Sequence, residues 1–372
     1  MQIHVLGDSI VTAYGSDENN FIGGWGDHLN SFFKNEVPVL VYAEGGRSSR
    51  SFLNEGRFIN YGIFSKDKFP YGMGPAYDRI CPGDYVLMQF CHNDDESKGY
   101  GTYVDRLTPL GIPDGHGIYP TVVPDEQMKV STGEIPPEYY VTLLRKNGMT
   151  EQEIAVYERK YRELIAQYGE KYWSYDCGAT YKGYLKFYID KIRARGAVPV
   201  LVTPPPRQYY KNGKIVAVAG QHGGEDAFGA FPYVRAIRQL GRQENVIVLD
   251  LFQRSLELLE RLGETTAKSL QSIKDKEGVT IGEARYGRPE KWVEDYDIYW
   301  EKGDFTVDKT HQNRLGSYLY AAIIADCISE QISNLTHWQL PCASKSMRCP
   351  ARIRTFIPVM EAAVHHIGIK IV

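Results

Sequence analysis

Five short apolar runs, each bounded by a glycine-rich or polar turn and set between helical patterns, constrain the fold of this chain more than any other feature. Gln2 to Leu6 ends in Gly7-Asp8-Ser9, Val37 to Tyr42 ends in Glu44-Gly45-Gly46, and Tyr85 to Phe90 follows the turn Gly83-Asp84. Val198 to Thr203 is broken by Pro204-Pro205-Pro206, and Val246 to Leu249 is the fifth run. Short continuous apolar runs bounded by turn residues read as strands buried on both faces. Asp27 to Lys34 carries Leu29, Phe32 and Phe33 at helical spacing. Tyr181, Leu185, Tyr188, Ile189 and Ile192 recur on one face of a helix that Gly196 stops. A helix is expected around Phe231 to Arg242, and a last one at about Asn313 to Ile332, with Leu315, Leu319, Ala322 and Ile323 on one face. Strands alternating with helices form right-handed βαβ units around a parallel sheet covered on both faces. The expected class is therefore α/β, with three layers.

Two stretches exceed ordinary connection lengths. One, about residues 95–176, is rich in Gly, Pro and Tyr and has its own helix after Thr150-Glu151-Gln152-Glu153, a capping-box pattern. The other, about 265–304, is charged and contains tryptophan. Both read as insertions in a single domain spanning 1–333, where they shape a binding cleft or simply decorate the scaffold. Residues 334–372 do not extend the alternation and read as a packing or oligomer arm of a possible homo-oligomer.

A formal net charge of −3 argues against a nucleic-acid surface or a polybasic membrane patch. No apolar stretch approaches the ~20 residues of a membrane span. Met1 to Leu6 leads into Gly7-Asp8-Ser9 without an export pattern, so a cytoplasmic location is expected. The cysteines at 81, 91, 177, 327, 342 and 349 have no zinc or CxxC spacing and read as reduced thiols. No metal set and no cofactor is expected. The 27 tyrosines suit sugar faces, but most are expected simply to pack.

Chemistry concentrates at the strand ends. Gly7-Asp8-Ser9 follows the first strand, and a strand-to-helix turn there presents a hydroxyl beside backbone amides able to serve an oxyanion. Gly45-Gly46-Arg47-Ser48 follows the second strand and His92-Asn93-Asp94 the third. Ligands bind beyond the carboxyl ends of strands where strand order reverses, so the three turns meet if the first strand lies between the other two. The amides of Ser9 and Gly46 and the side-chain NH2 of Asn93 then form a three-donor oxyanion hole. Read singly, Gly46 is a tight turn and Asn93 a turn-forming amide. In Asp308-Lys309-Thr310-His311 the three-residue offset lets one loop present both a carboxylate and an imidazole; the plainer alternative is a helix-capping aspartate beside a surface histidine.

These blocks resemble the SGNH or GDSL hydrolases: Gly7-Asp8-Ser9, Gly46, Asn93, and Asp308 with His311. Gly24-Trp25-Gly26, Gly45 to Phe52, Phe90 to Asp94 and Asp308 to Asn313 are similar to rhamnogalacturonan acetylesterases. The resemblance implies a flavodoxin-like five-stranded parallel sheet of order 2-1-3-4-5. It also implies Ser9 as nucleophile, His311 as base, Asp308 as its orienter, and Asp8, Arg47 and His92 on the substrate side. The implied substrate is an acetylated oligosaccharide of pectin or xylan origin. Alternatives are a lysophospholipase or thioesterase on the same site, or a non-catalytic carbohydrate-binding relative. One position departs from the pattern: the family usually has glycine two places before the block-three asparagine, and here it is Cys91. A Cβ there crowds the acyl pocket or shifts the Asn93 loop. Cys91 itself reads as a small buried residue, with a thiol nucleophile as the alternative. His92 reads as a loop anchor and Asp94-Asp95-Glu96 as solvated carboxylates.

Overall fold

The computed structural model describes residues 1–15, 22–54, 56–59, 74–95, 106, 108–121, 145, 150–152, 154, 155, 158, 159, 180–275, 280–283 and 305–340. In chain order the main elements are β1 (Ile3–Gly7), α1 (Gly26–Leu29), β2 (Val39–Val41), α2 (Ser49–Asn54), α3 (Ala76–Arg79) and β3 (Tyr85–Gln89). Then come α4 (Tyr181–Ala194), β4 (Val198–Val202), α5 (Pro232–Glu244), β5 (Ile247–Leu249) and α6 (Leu251–Lys268). The last are β6 (Gln271–Asp275), β7 (Thr280–Glu283), β8 (Phe305–Gln312), α7 (Arg314–Gln331) and α8 (Ser333–Thr336).

The five apolar runs all become strands of one sheet, in the order β2-β1-β3-β4-β5. β1 pairs in parallel with β3, β3 with β4, and β4 with β5. Every residue of β1 and β3 is buried, as central strands of a parallel sheet require.

The chain divides into two compact units. The first comprises Met1–Ser9, Leu40–Pro204 and Ala217–Leu249. In it, α4 packs on β4, α2 and α5, and α5 packs on β5. Thr180 caps α4 by accepting from the Gly183 amide at 3.2 Å. The buried stripe of α4 includes the predicted Tyr181, Leu185, Tyr188, Ile189 and Ile192. They join Leu6, Phe52, Phe58, Phe90 and Leu240 in one core, each such side chain contributing about 1.5–3 kcal/mol.

The second unit comprises Ile10–Val39, Pro205–Val216 and Asp250–Val372. Here α7 packs on α1 and α6, and β6 is the middle strand of an antiparallel sheet of order β7-β6-β8. Four expectations change in this unit. The segment from Asp27 to Lys34 is a short helix followed by a 3-10 turn at Asn30–Phe32. Helix α6, absent from the pattern of expected helices, starts at the Asp250 cap, and its Leu258 and Leu259 pack with Ala267, Leu270 and Leu319. The stretch from 265 begins by completing α6 and then forms β6 and β7; residues 284–304 lie outside the described residues. The fully buried face of α7 is Tyr320, Ala321, Ile324, Cys327 and Ile328, while Leu315, Ala322 and Ile323 are half-buried. Apolar residues cover most of this helix's circumference, so periodicity alone does not select its inward face. Residues 338–340 lie against 32–34, with Lys34 N donating to Trp338 O at 2.9 Å and Leu340 N to Phe32 O at 2.9 Å.

Of the first long stretch, residues 151, 152, 154, 155, 158 and 159 are helical, and Ile154 N donates to Thr150 O at 3.0 Å, at the place the capping pattern indicates. Among the described residues, no helix is long and apolar enough to cross a membrane.

Candidate active site

Strand β1 delivers Ser9 two residues past its end, 7% exposed, in a turn over residues 8–11. The expectation that this turn opens a helix is not met: the next described helix is α1, at Gly26. Any oxyanion donation here therefore comes from turn amides without a helix macrodipole behind them. Asp8 is fully buried, and its Oδ2 lies 3.3 Å from His92 Nδ1, which joins the turn after β1 to the turn after β3. Asn93 Nδ2 donates to Arg47 O at 3.2 Å, which joins the turn after β3 to the turn after β2. Ser49 donates to Asp94 Oδ1 through both its amide, at 2.9 Å, and its hydroxyl, at 2.5 Å. The three strand-end turns are thus tied to each other, as the position of β1 between β2 and β3 allows.

Asp94 and Asp95 are buried, which corrects the reading of solvated carboxylates. Burial of Asp94 raises its pKa to about 7 against the pull of its Ser49 hydrogen bonds. Gly46 has φ +78°, a conformation that favours glycine, and a Cβ there would meet Arg106 Nη2 at 2.8 Å. Of the residues expected on the substrate side, Arg47 keeps a side chain 27% exposed. Asp8 and His92 are buried and face each other.

Three buried tyrosines brace these turns from behind. Tyr181 OH donates to Phe90 O at 2.8 Å, Tyr188 OH to Ser49 O at 2.8 Å, and Tyr233 OH to Asp94 O at 3.0 Å and Thr108 O at 2.6 Å. The helices α4 and α5 therefore fix the backbone of the second and third turns as well as filling the core. Periodicity gives the inward face of α4, but no signal in the sequence says that these hydroxyls meet functional turns.

In the second unit, Asp308 and His311 lie on β8 rather than in a loop. Gln271 pairs with Gln312 and Ile273 with Val307, so a single residue of β6 faces residues 308–311 of β8. In a regular strand, residues three apart point to opposite faces. This bulge turns both side chains to one side, and His311 Nδ1 lies 2.6 Å from Asp308 Oδ2. Asp308 Oδ1 also accepts from Thr310 N at 2.8 Å. The bulge is pinned by Ser272 Oγ donating to His311 O at 3.1 Å and Gln208 N donating to Lys309 O at 2.8 Å, and Arg207 donates to the Thr310 hydroxyl. The Asn313 cap of α7 donates to Ser269 O at 2.7 Å and Gln271 O at 3.2 Å, holding the far end.

Sequence reasoning missed His222. It is fully buried at φ +52°, with Nδ1 3.1 Å from Cys91 Sγ and its ring edge-on to His92 at 4.9 Å. The glycine-rich run Gly220-Gln221-His222-Gly223-Gly224 is a turn signal that sequence reasoning passed over, and nothing in it indicates the partner.

The parallel sheet of order 2-1-3-4-5 has joined polar turns after its first three strands, and the second unit, by itself, holds an aspartate–histidine pair ahead of α7; both are features that the resemblance to SGNH hydrolases implies. No family model matches the chain. It is 27% identical over 263 residues to "Probable rhamnogalacturonan acetylesterase YesY" of Bacillus subtilis, covering 70% of this chain and 75% of that protein. It is 32% identical over 111 residues to rhamnogalacturonan acetylesterase RhgT of the same organism, covering 29% of this chain and 41% of that one. These relatives are by name carboxylic ester hydrolases. Among solved structures, the lipase/acylhydrolase of Enterococcus faecalis aligns over 89% of this chain and 97% of its own, at 11% identity and a TM-score of 0.33.

Proposed function

We propose that the chain is a serine esterase that deacetylates carbohydrate, with Ser9 as nucleophile, His311 as general base and Asp308 as its orienter. The observation that carries this reading is the 2.6 Å hydrogen bond between Asp308 Oδ2 and His311 Nδ1. With Nδ1 held by the carboxylate, base chemistry runs through Nε2, and the carboxylate stabilises the imidazolium that forms. Ser9 Oγ bonds to the acetyl carbonyl carbon as its proton passes to His311. Negative charge develops on the carbonyl oxygen, which accepts hydrogen bonds from the amides of Ser9 and Gly46 and from Asn93 Nδ2. The C–O bond to the sugar then breaks, and His311 returns the proton to the departing alcohol. Water repeats the sequence on the acetyl-serine and releases acetate.

The names of the relatives support acetylated rhamnogalacturonan or a similar plant oligosaccharide as the substrate. Arg47, partly exposed in the second turn, is proposed to meet the sugar. Asp8 and His92, both buried, are proposed to hold the turns instead of touching substrate.

Acetate release from an aryl acetate tests the assignment. Ser9→Ala and His311→Ala are each expected to lose at least about 10³-fold in kcat, and Asp308→Asn about 10²–10⁴-fold. Wild-type activity in Ser9→Ala removes Ser9 from the mechanism. Turnover of C8 esters exceeding that of C2 esters points to a lipid or thioester substrate in place of a sugar acetate.

A further inference from the structure

We propose that His222 is a positioning residue for the oxyanion turn, one that this chain needs because Cys91 occupies a backbone conformation suited to glycine. The inference rests on the reading of Asn93 as an oxyanion donor. Cys91 has φ +149°, and holding a side chain in such a region costs about 1–3 kcal/mol. Surrounding contacts must supply that energy, or the peptide relaxes. Cys91 is fully buried, and its Sγ meets His222 Nδ1 at 3.1 Å.

His222 also touches the next residue. Its ring lies edge-on to that of His92, with centroids 4.9 Å apart at 78°. It therefore grips the two residues immediately before Asn93. The run that carries it is tied to the start of α5: Tyr233 N donates to His222 O at 3.2 Å, and Phe231 N to Gly224 O at 2.7 Å.

An asparagine amide has two hydrogens. One of Asn93's goes to Arg47 O, at 3.2 Å. The direction of the other depends on the peptide from Cys91 to Asn93 staying where His222 holds it. A glycine at position 91 would keep the same φ without strain and without a grip. A shift of about 1 Å in a donor aimed at a developing charge costs up to ~10²-fold in rate.

The test is a double-mutant cycle on the full chain, with kcat and KM for an aryl acetate and Tm read for each variant. His222→Ala is expected to lower kcat about 10–100-fold with KM within about twofold, the signature of a contact that matters only in the transition state. In a Cys91→Gly background the same substitution is expected to cost at least about fivefold less, because glycine needs no grip. An equal loss in both backgrounds, or a drop in Tm with kcat unchanged, overturns the proposal. His222→Gln, which keeps a polar group without the ring, replaces His222→Ala in the cycle should the alanine variant not fold. Asn93→Ala separates the layers. If it leaves kcat intact, the oxyanion reading fails; if it lowers kcat ~10²-fold while His222→Ala does not, only the role of His222 fails. Loss of activity in Cys91→Gly with Ser9→Ala still active would point instead to a thiol nucleophile and overturn both.

Discussion

Gly46 and Cys91, in the turns after β2 and β3, both have positive φ, the first as a glycine and the second with a side chain to hold. At Gly46, φ +78° is free of strain because there is no Cβ. An alanine there would meet the end of the flexible Arg106 side chain, which can move, so the lasting cost is the left-handed backbone, about 1–2 kcal/mol. Gly46→Ala is accordingly expected to lower Tm by several degrees and kcat by more than that stability loss explains, since the amide of residue 46 is proposed to face the oxyanion. Unchanged kcat on an aryl acetate at a temperature where the variant is fully folded would remove that amide from the site. Ser9, Gly46 and Asn93 are nominated jointly by residue type at three strand ends, and Asp308 with His311 by their three-residue offset ahead of the last helix. His222 is not, because its role arises only from contact with residues 131 and 130 positions earlier in the chain.

At the scale of elements, β8 and α7 show how the aspartate–histidine pair is supported. A loop is the natural reading of Asp308 to His311, since a regular strand would send the two side chains to opposite faces. The bulge resolves this, and bulges depend on the partner strand as much as on the bulged one. Just beyond it, Gly316 lets the start of α7 approach Leu270: a Cβ there would lie 2.3 Å from Leu270 O and 2.9 Å from Gln312 Cβ. Gly263 in α6 has φ +76°, and a Cβ at that position would meet nothing within 4 Å. The two glycines therefore predict different outcomes. Gly263→Ala is expected to cost only the backbone penalty, about 1 kcal/mol, with kcat unchanged. Gly316→Ala must push backbone away from backbone and is expected to cost at least about 2–3 kcal/mol and to lower kcat by displacing the end of β8. Chemical denaturation and aryl acetate kinetics on the two variants check this, and equal stability losses would contradict it. The strands are readable because continuous apolar runs bounded by turns have few other fates. Helix α6 escapes the apolar pattern because its charged residues, from Arg254 to Glu264, hide a short apolar stripe.

For the whole molecule, two buried groups shift stability with pH in opposite directions. Burial raises Asp94 to about 7, so the folded state keeps a proton that the unfolded chain releases near its ordinary value of 3.8. This contribution to stability is complete below about pH 4 and is lost as pH rises through 7. Burial, with Arg314 nearby, lowers His28 to about 4, so the unfolded chain binds a proton first and this contribution grows as pH rises from about 4 to 6.5. Asp94→Asn keeps a carbonyl oxygen for Ser49 and removes the titration. Its Tm relative to wild type is expected to rise steadily between pH 5 and 7.5, and a difference constant across that range would show that Asp94 does not titrate there. By itself the sequence determined the strand order's raw material and the residue types at the strand ends, because both follow from local apolar patterning and turn chemistry. Only the tertiary structure decided which turns are tied together, which tyrosine hydroxyls brace them, that pairing with β6 puts Asp308 and His311 on a bulge, and that His222 meets Cys91, because each of these depends on contacts between segments far apart in the chain.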